Sequence, residues 1–395
     1  MDKNLKTQKV EKAVECDATG KVAIDYGFDL IVPPNVTHSD ISKAKAFSNF
    51  DKYKDACEKV AMIQWYLDNN LHTEPQPIIV SYEKPMRGTG RKKPSEVSYG
   101  FEVMGSIKST GEAIVIKVAL AILSDFGYKN LILKINSIGD RESISRYDRE
   151  IASYYRKNAH LLSAKMRSEF KKSPQNVLGG DSPETESFRH SAPDTVTSLS
   201  DLSRAHFKEV LEFVEAFGVE YEIDPNLQSN KLYGGYTVFE IHDKNGRKNS
   251  APLCFGYRYN YLAKKIGAKK DIACVGMSIS LRKKSSMSKK VLIKNIKKPK
   301  FYLVQLGTTA KLKALNLIEI LRKNNISVYH SIPKDKISGQ LSGAEYMNAT
   351  HVLIFGQKEA IENSAVIRNL NTRVQETLTI SNLPVFLKKL MKEKK

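Results

Sequence analysis

Apolar residues recur along this chain with two different periods, and the change from one to the other marks its elements. Over 97–105 the alternation is strict. Val97, Tyr99, Phe101 and Val103 share one side, while Ser98, Gly100, Glu102 and Met104 share the other, which predicts a half-buried strand with a carboxylate on its polar face. Over 51–71, Ala56, Val60, Ile63 and Leu67 recur at helical spacing instead. GEAIVIKVALAILSDFG predicts an apolar helix ended by Gly127, and NLILKINSIGD a strand running into a turn. Near the start, AIDYGFDLIVPP reads as a helix end, a turn at Tyr26, Gly27 and Phe28, and a short strand stopped by Pro33 and Pro34.

From about 141 to 217 the pattern is helical, broken by the polar stretch SPQNVLGGDSPETESFRHS, as in an inserted helical module with a central loop. Strands resume in LYGGYTVFEIHD, APLCFGYRYNYL and DIACVGMSISL. Beyond residue 300, FYLVQLG, KLKALNLIEILRKNN, ISVYHS, QLSGAEYMNA, HVLIFG and a last helix follow the strand-helix-strand order of a small α/β domain. An α+β core over 1–282, a basic linker over 283–300 and a separate domain over 301–395 are the expected organisation.

At 395 residues the chain is longer than one hydrophobic core usually organises. Its 63 Lys and Arg against 43 Asp and Glu leave a net charge of +20, a field that attracts polyanions and puts nucleic acid first among partners. Eight lysines and no acidic residue lie between Lys283 and Lys300, and Lys388, Lys389, Lys392, Lys394 and Lys395 repeat the theme. A solvated linker and tail are the plain alternative. No apolar run reaches the length of about 18 residues that a membrane span needs, and the N-terminus lacks a signal-like apolar block, so a cytoplasmic protein is expected. Cys16, Cys57, Cys254 and Cys274 are far apart, which indicates neither a disulfide framework nor a metal site.

Several stretches together resemble the histidyl-tRNA synthetase family of class II. YGFDLIVPP resembles the dimer-forming first class II motif, and YGFEVMG the strand of the second. LKINSIGD, DLSRAHFKEVLEFVEAFGVEYEIDPNL, YTVFEI, and GYRYNYL before VGMSISL follow in the family's order. QLSGAEYMNATHVLIFGQKEAIENSAVIRNLNT resembles its anticodon-binding domain. The resemblance implies a class II antiparallel sheet flanked by helices, a helical insertion, a C-terminal α/β anticodon-binding-like domain, a homodimer and a tRNA partner. If the chain is active, it also implies ATP with magnesium.

Histidine activation needs cations on the phosphates, a task that suits arginine because its guanidinium forks onto two oxygens. The resemblance places the second-motif arginine on Ser81, the histidine-specific arginine near Ser229 and the third-motif arginine on Lys283. Ser280 and Arg282 stand for a glycine and a glutamate, and Ser98 for a glutamine. A segment rich in Arg-Pro-Glu-Gly-Thr corresponds to YKDACEKVAMIQWYL, where no carboxylate and hydroxyl pair is evident. Lysine at 283 still supplies a point charge, and Arg87, Arg91 or Lys92 are possible substitutes. Each lost group would cost about 2–4 kcal/mol of transition-state stabilisation, so two losses suppress turnover by several decades.

The resemblance also implies pocket candidates in Glu102, Glu240, Gly256, Arg258, Tyr259 and Lys283; the plain reading makes Arg258 and Tyr259 core-edge residues satisfied by Glu240. Arg87, Arg91, Lys92 and Lys93, in the loop MRGTGRKKPS, suit contacts with phosphates. Lys334, Lys336, Gln340, Arg368, Asn371 and Arg373 suit phosphates and splayed bases of an anticodon loop. The expectation is a synthetase-like protein that binds tRNA with ligase activity weak or lost. Its rivals are an active histidine-tRNA ligase and a small-molecule-sensing regulatory subunit of ATP phosphoribosyltransferase, which has no need to read RNA.

Overall fold

The computed structural model describes residues 14–50, 54–84, 96–172, 174–178, 183–246, 250–282, 291–293 and 300–392. Arg87, Arg91, Lys92, Lys93 and Lys283 lie outside the described residues. The strands are β1 (Val14–Cys16), β2 (Asp29–Leu30), β3 (Ile78–Glu83), β4 (Glu96–Met104), β5 (Leu131–Gly139), β6 (Glu220–Ile223), β7 (Gly235–Asp243), β8 (Cys254–Arg258), β9 (Cys274–Arg282), β10 (Val291–Ile293), β11 (Phe301–Gln305), β12 (Val328–His330), β13 (His351–Phe355), β14 (Ser364–Asn369) and β15 (Gln375–Thr379). The α-helices are α1 (Ala18–Asp25), α2 (His38–Ala44), α3 (Ala56–Asp68), α4 (Thr110–Asp125), α5 (Arg141–Asn158), α6 (Ala164–Lys172), α7 (Pro174–Leu178), α8 (Glu186–His190), α9 (Asp201–Phe217), α10 (Leu262–Lys265), α11 (Thr308–Lys323), α12 (Ile337–Tyr346), α13 (Gln357–Glu362) and α14 (Leu383–Lys392).

One sheet runs β2-β3-β4-β9-β8-β7-β5-β6. It is antiparallel from β3 to β5 and parallel at its edges, where β2 joins β3 and β6 joins β5. The alternation in β4 puts Val97, Tyr99, Phe101 and Val103 into the core beneath α4, as the pattern predicts. Its other side is not solvated, because α3 covers it: Glu102 and Met104 are both 0% exposed. The expected half-buried strand is therefore central and buried on both faces. Helix α4 is apolar around nearly its whole circumference and packs between the sheet and helices α9 and α11.

The turn after β5 locks the insertion to this core. Gly139 has φ +69°, and a side chain there would meet Ser143 at 2.4 Å. Asp140 caps α5 by accepting from Ser143 N at 2.9 Å, and its second oxygen accepts from the hydroxyl of Ser200, the residue that caps α9, at 2.7 Å. The insertion has its own small core of Tyr147, Ile151, Phe170 and Phe188, in which Tyr155 stacks on Phe170.

A second sheet runs β12-β11-β13-β14-β15. Its first three strands are parallel, as the predicted order requires, but an antiparallel hairpin, β14 and β15, follows α13 where only a helix was expected. Within the expected linker, β10 pairs with β1, setting Ile293 opposite Val14. Helix α11 packs on the core: Lys117 donates to Asn316 at 2.5 Å, Tyr26 to Glu319 at 2.7 Å, and Arg322 forks onto Asp125 at 2.7 and 3.1 Å. Among the described residues no helix is long and apolar enough to cross a membrane.

Candidate functional site

Glu102 lies at the centre of the α3-covered face, in register with Val80 of β3 and Gly276 of β9. One carboxylate oxygen accepts from Lys59 Nζ at 2.7 Å and from the Tyr82 hydroxyl at 3.2 Å; the other accepts from the Tyr259 hydroxyl at 2.7 Å. Glycine is needed at 276, because a Cβ there would stand 1.9 Å from the Glu102 carboxylate and 2.5 Å from Lys59 Nζ. The Lys59 ammonium also lies 4.9 Å from the ring centroid of Tyr259 and 5.6 Å from that of Tyr257. Burial works against its charge, but the carboxylates of Glu102 and Asp55 raise its pKa above the ordinary lysine value. Burial, reinforced by nearby carboxylates, pushes the Tyr82, Tyr257 and Tyr259 hydroxyls well above the usual tyrosine value, so each keeps its proton as a donor.

The first turn of α3 fastens to this face through further polar contacts. Tyr257 donates to Asp55 at 2.7 Å, and Lys84 Nζ reaches Glu58 at 2.5 Å. Farther along, the hydroxyls of Ser98 and Ser280 meet at 3.0 Å across β4 and β9. Ser81 is opposite Phe101 and so belongs to the α4 side of the sheet, while Val80 and Tyr82 flank it on the Glu102 side. Ser229 is buried, with its hydroxyl close against Gly234.

Arg258 precedes Tyr259 and therefore faces the other way, toward α4. Its guanidinium is 0% exposed and donates to both oxygens of Glu112, at 2.6 and 2.5 Å, and to the carbonyls of Ser106 and Lys108, at 2.8 and 2.6 Å. His206 Nε2 lies 2.7 Å from the same carboxylate. Burial raises the Glu112 pKa, but Arg258 and His206 outweigh it and bring the value to about 2. The pairing of Arg258 with Glu240 that the plain reading expected is not formed; Glu240 pairs with His242 at 2.9 Å. The pocket candidates are thus divided, with Glu102 and Tyr259 together on one face and Arg258 beneath the other.

Sequence reasoning missed Lys59 and Glu112. The available signal was similar for both: a charge at a helical position whose neighbours, Val60 and Ile63 in one case and Ala113 and Ile116 in the other, are fully buried.

In the C-terminal domain Lys336, Asn371 and Arg373 are exposed, and Lys334 and Arg368 half-buried. Arg373 sits in the β14–β15 turn with φ +61°. Gln340 does not reach that surface. It is 0% exposed, and its amide bonds the backbone N–H and C=O of Gln305, each at 2.9 Å. Among the described residues no group of three or more His, Cys, Asp or Glu side chains could hold a metal ion. Glu58 and Glu102 are each held by a lysine and Glu240 by His242, so these described carboxylates do not fit a magnesium–phosphate group.

An antiparallel sheet with a helical insertion and a C-terminal mixed α/β domain defines the class II aminoacyl-tRNA synthetase architecture. The model of the Anticodon binding domain family matches residues 290–390. The histidine–tRNA ligase of Thermosynechococcus vestitus is 28% identical over 314 residues, spanning 78% of this chain and 72% of that protein. That of Lysinibacillus sphaericus is 25% identical over 334 residues, spanning 82% and 79%. The structure of apo histidyl-tRNA synthetase from S. aureus shares the fold with a TM-score of 0.52 at 22% identity, covering 93% of each chain. Over about four fifths of its length the chain is thus similar to histidine–tRNA ligases, and its C-terminal part matches an anticodon-binding domain.

Proposed function

We propose that this chain is a cytoplasmic, homodimeric, tRNA-binding protein of the histidyl-tRNA synthetase family whose histidine–tRNA ligase activity is weak or lost. The supporting observation is the state of the charges on the α3-covered face. Activation needs cationic forks free to take phosphate oxygens as negative charge develops. Here Lys84 is held by Glu58. Ser98 and Ser280 bond each other, Ser229 is neutral and buried, and Ser81 faces away from this side, toward α4. The anticodon-binding match and the exposed basic residues of the C-terminal domain support tRNA as the partner, and they favour RNA binding over a regulatory role in ATP phosphoribosyltransferase.

A working ligase is the second reading, favoured by the activity that the curated relatives carry in their names. In that reading Lys283, Arg87, Arg91 or Lys92 supplies the missing cations, and ATP with magnesium is used. Histidine-dependent pyrophosphate exchange separates the two. Undetectable or very slow exchange supports the proposal, and exchange at an ordinary synthetase rate of roughly 1 to 1000 turnovers per second overturns it.

A further inference from the structure

A buried carboxylate, two tyrosine rings and two tyrosine hydroxyls make a site suited to an organic cation: charge draws it in, the ring faces attract it, and the carboxylate takes its N–H bonds. In this chain the cation is Lys59. We infer that Lys59 is an internal ligand of an organic-cation site, and that its ammonium keeps histidine, or any other external amine or imidazole, away from Glu102 and Tyr259. This deepens the proposed weakening of ligation and rests on that reading.

Two observations carry the inference. The Glu102 carboxylate is saturated from within, by Lys59 and Tyr82 on one oxygen and by Tyr259 on the other, at 0% exposure. The backbone beneath is shaped to this arrangement, since Gly276 leaves no room for even a methyl group beside the pair. Lys59 is also held by its helix: Ala56, Val60 and Ile63 of α3 are buried alongside it. The ammonium is therefore always at the site, with the high effective concentration of a tethered group. An external cation would have to expel it into a dry interior, leaving a charge buried without its partner.

The test uses the full chain and a probe that matches the deleted atoms. Lys59→Ala removes Cγ, Cδ, Cε and Nζ, and n-propylammonium supplies three carbons and a nitrogen. Thermal unfolding is followed in n-propylammonium chloride, in sodium chloride of equal ionic strength and in n-propanol. The melting temperature of the unaltered protein should be the same in n-propylammonium chloride and sodium chloride, and histidine should produce no binding heat. Lys59→Ala should melt about 10 °C lower. With a dissociation constant of about 10 mM, 100 mM n-propylammonium should raise its folding equilibrium constant about tenfold, and n-propanol should not.

If Lys59→Ala does not fold, dilution from urea into n-propylammonium chloride reads the same quantity. Recovery there but not in sodium chloride supports the inference. Histidine binding to the unaltered protein, or a Lys59→Ala variant indifferent to the cation, overturns it. Pyrophosphate exchange is measured in parallel: exchange at an ordinary rate overturns the loss of ligation, whereas no exchange together with no cation rescue overturns only the internal ligand.

Discussion

Replacing Arg258 with methionine leaves the Glu112 carboxylate buried beneath the sheet with only His206 beside it. In the native protein that carboxyl titrates at about 2, against an ordinary 4.5, which corresponds to about 3 kcal/mol of stability. Because its folded pKa is depressed, that stability is fully present above pH 4.5 and is lost as pH falls toward 2. Without Arg258, burial dominates and the carboxyl pKa moves up, so the sign reverses: the variant's deficit is largest near neutrality and shrinks as acid protonates Glu112. The loss at pH 7 should be about 3–5 kcal/mol, the usual effect of breaking a buried pair by removing one partner. Urea unfolding at pH 7 and pH 4.5, followed by circular dichroism, measures both numbers. Arg258→Met combined with Glu112→Leu should recover most of the loss, because an apolar pair leaves no charge to solvate. A single-variant loss under about 1 kcal/mol, or a deficit that does not change with pH, would refute this reasoning.

Lys117 presents the opposite case. Burial lowers its pKa to about 8 from 10.5, so folding bears the cost of its charge at pH 7, and stability should rise as pH increases from 8 to 10.5. Lys117→Met should stabilise the protein by about 2 kcal/mol at pH 7, after allowing for the partner that Asn316 loses, and a lower melting temperature would contradict this. Binding to tRNA should weaken about a thousandfold between 50 and 200 mM salt if six or so phosphates are neutralised. Changing Arg368 and Arg373 to alanine should weaken tRNA binding more than binding to duplex DNA, and equal native affinity for the two would show that the charge acts without specificity. Sedimentation at micromolar concentration should show a dimer; a monomer would count against the interface expected around Tyr26 to Pro34.

The elements that the sequence makes legible are those whose type follows from a local run of residues, through alternation, a long apolar stretch or strand-helix order. Strand β4, helix α4 and the parallel strands of the second sheet are cases of this kind. What escapes is set by partners distant in sequence. Glu102 reads as a solvated carboxylate until α3 is laid over it. Gln340 reads as a surface amide, yet it completes the backbone bonding of Gln305, as a neighbouring strand would. The β15 sequence Gln375–Thr379 is polar and mostly exposed, so its pairing with β14 leaves no hydrophobic period to detect. Ser81 shows the limit for the site. A strand reverses face at each residue, so an alignment uncertain by one position cannot tell a pocket residue from one packed beneath α4.

Among the described residues each face of the large sheet carries a buried ion pair, Lys59 with Glu102 under α3 and Arg258 with Glu112 under α4, and both pairs hold a helix against β-strands. Such pairs add little net stability over apolar packing, but breaking either one exposes the full cost of a buried charge. Helix α3 is therefore fixed in place by the same contacts that fill the pocket. Emptying the pocket for a substrate would require a different residue at 59 and new partners for Glu102, and also a new way to hold α3. A free phosphate-binding charge on this face would further require releasing Lys84 from Glu58. Single substitutions toward an open pocket are thus expected to lose stability before they gain any binding. The exposed Lys336 and Arg373 of the C-terminal domain, at the start of α12 and in the β14–β15 turn, are members of neither pair. RNA binding there can be tuned without disturbing either pair, whereas the occupied pocket is held in its present state by the stability of the fold.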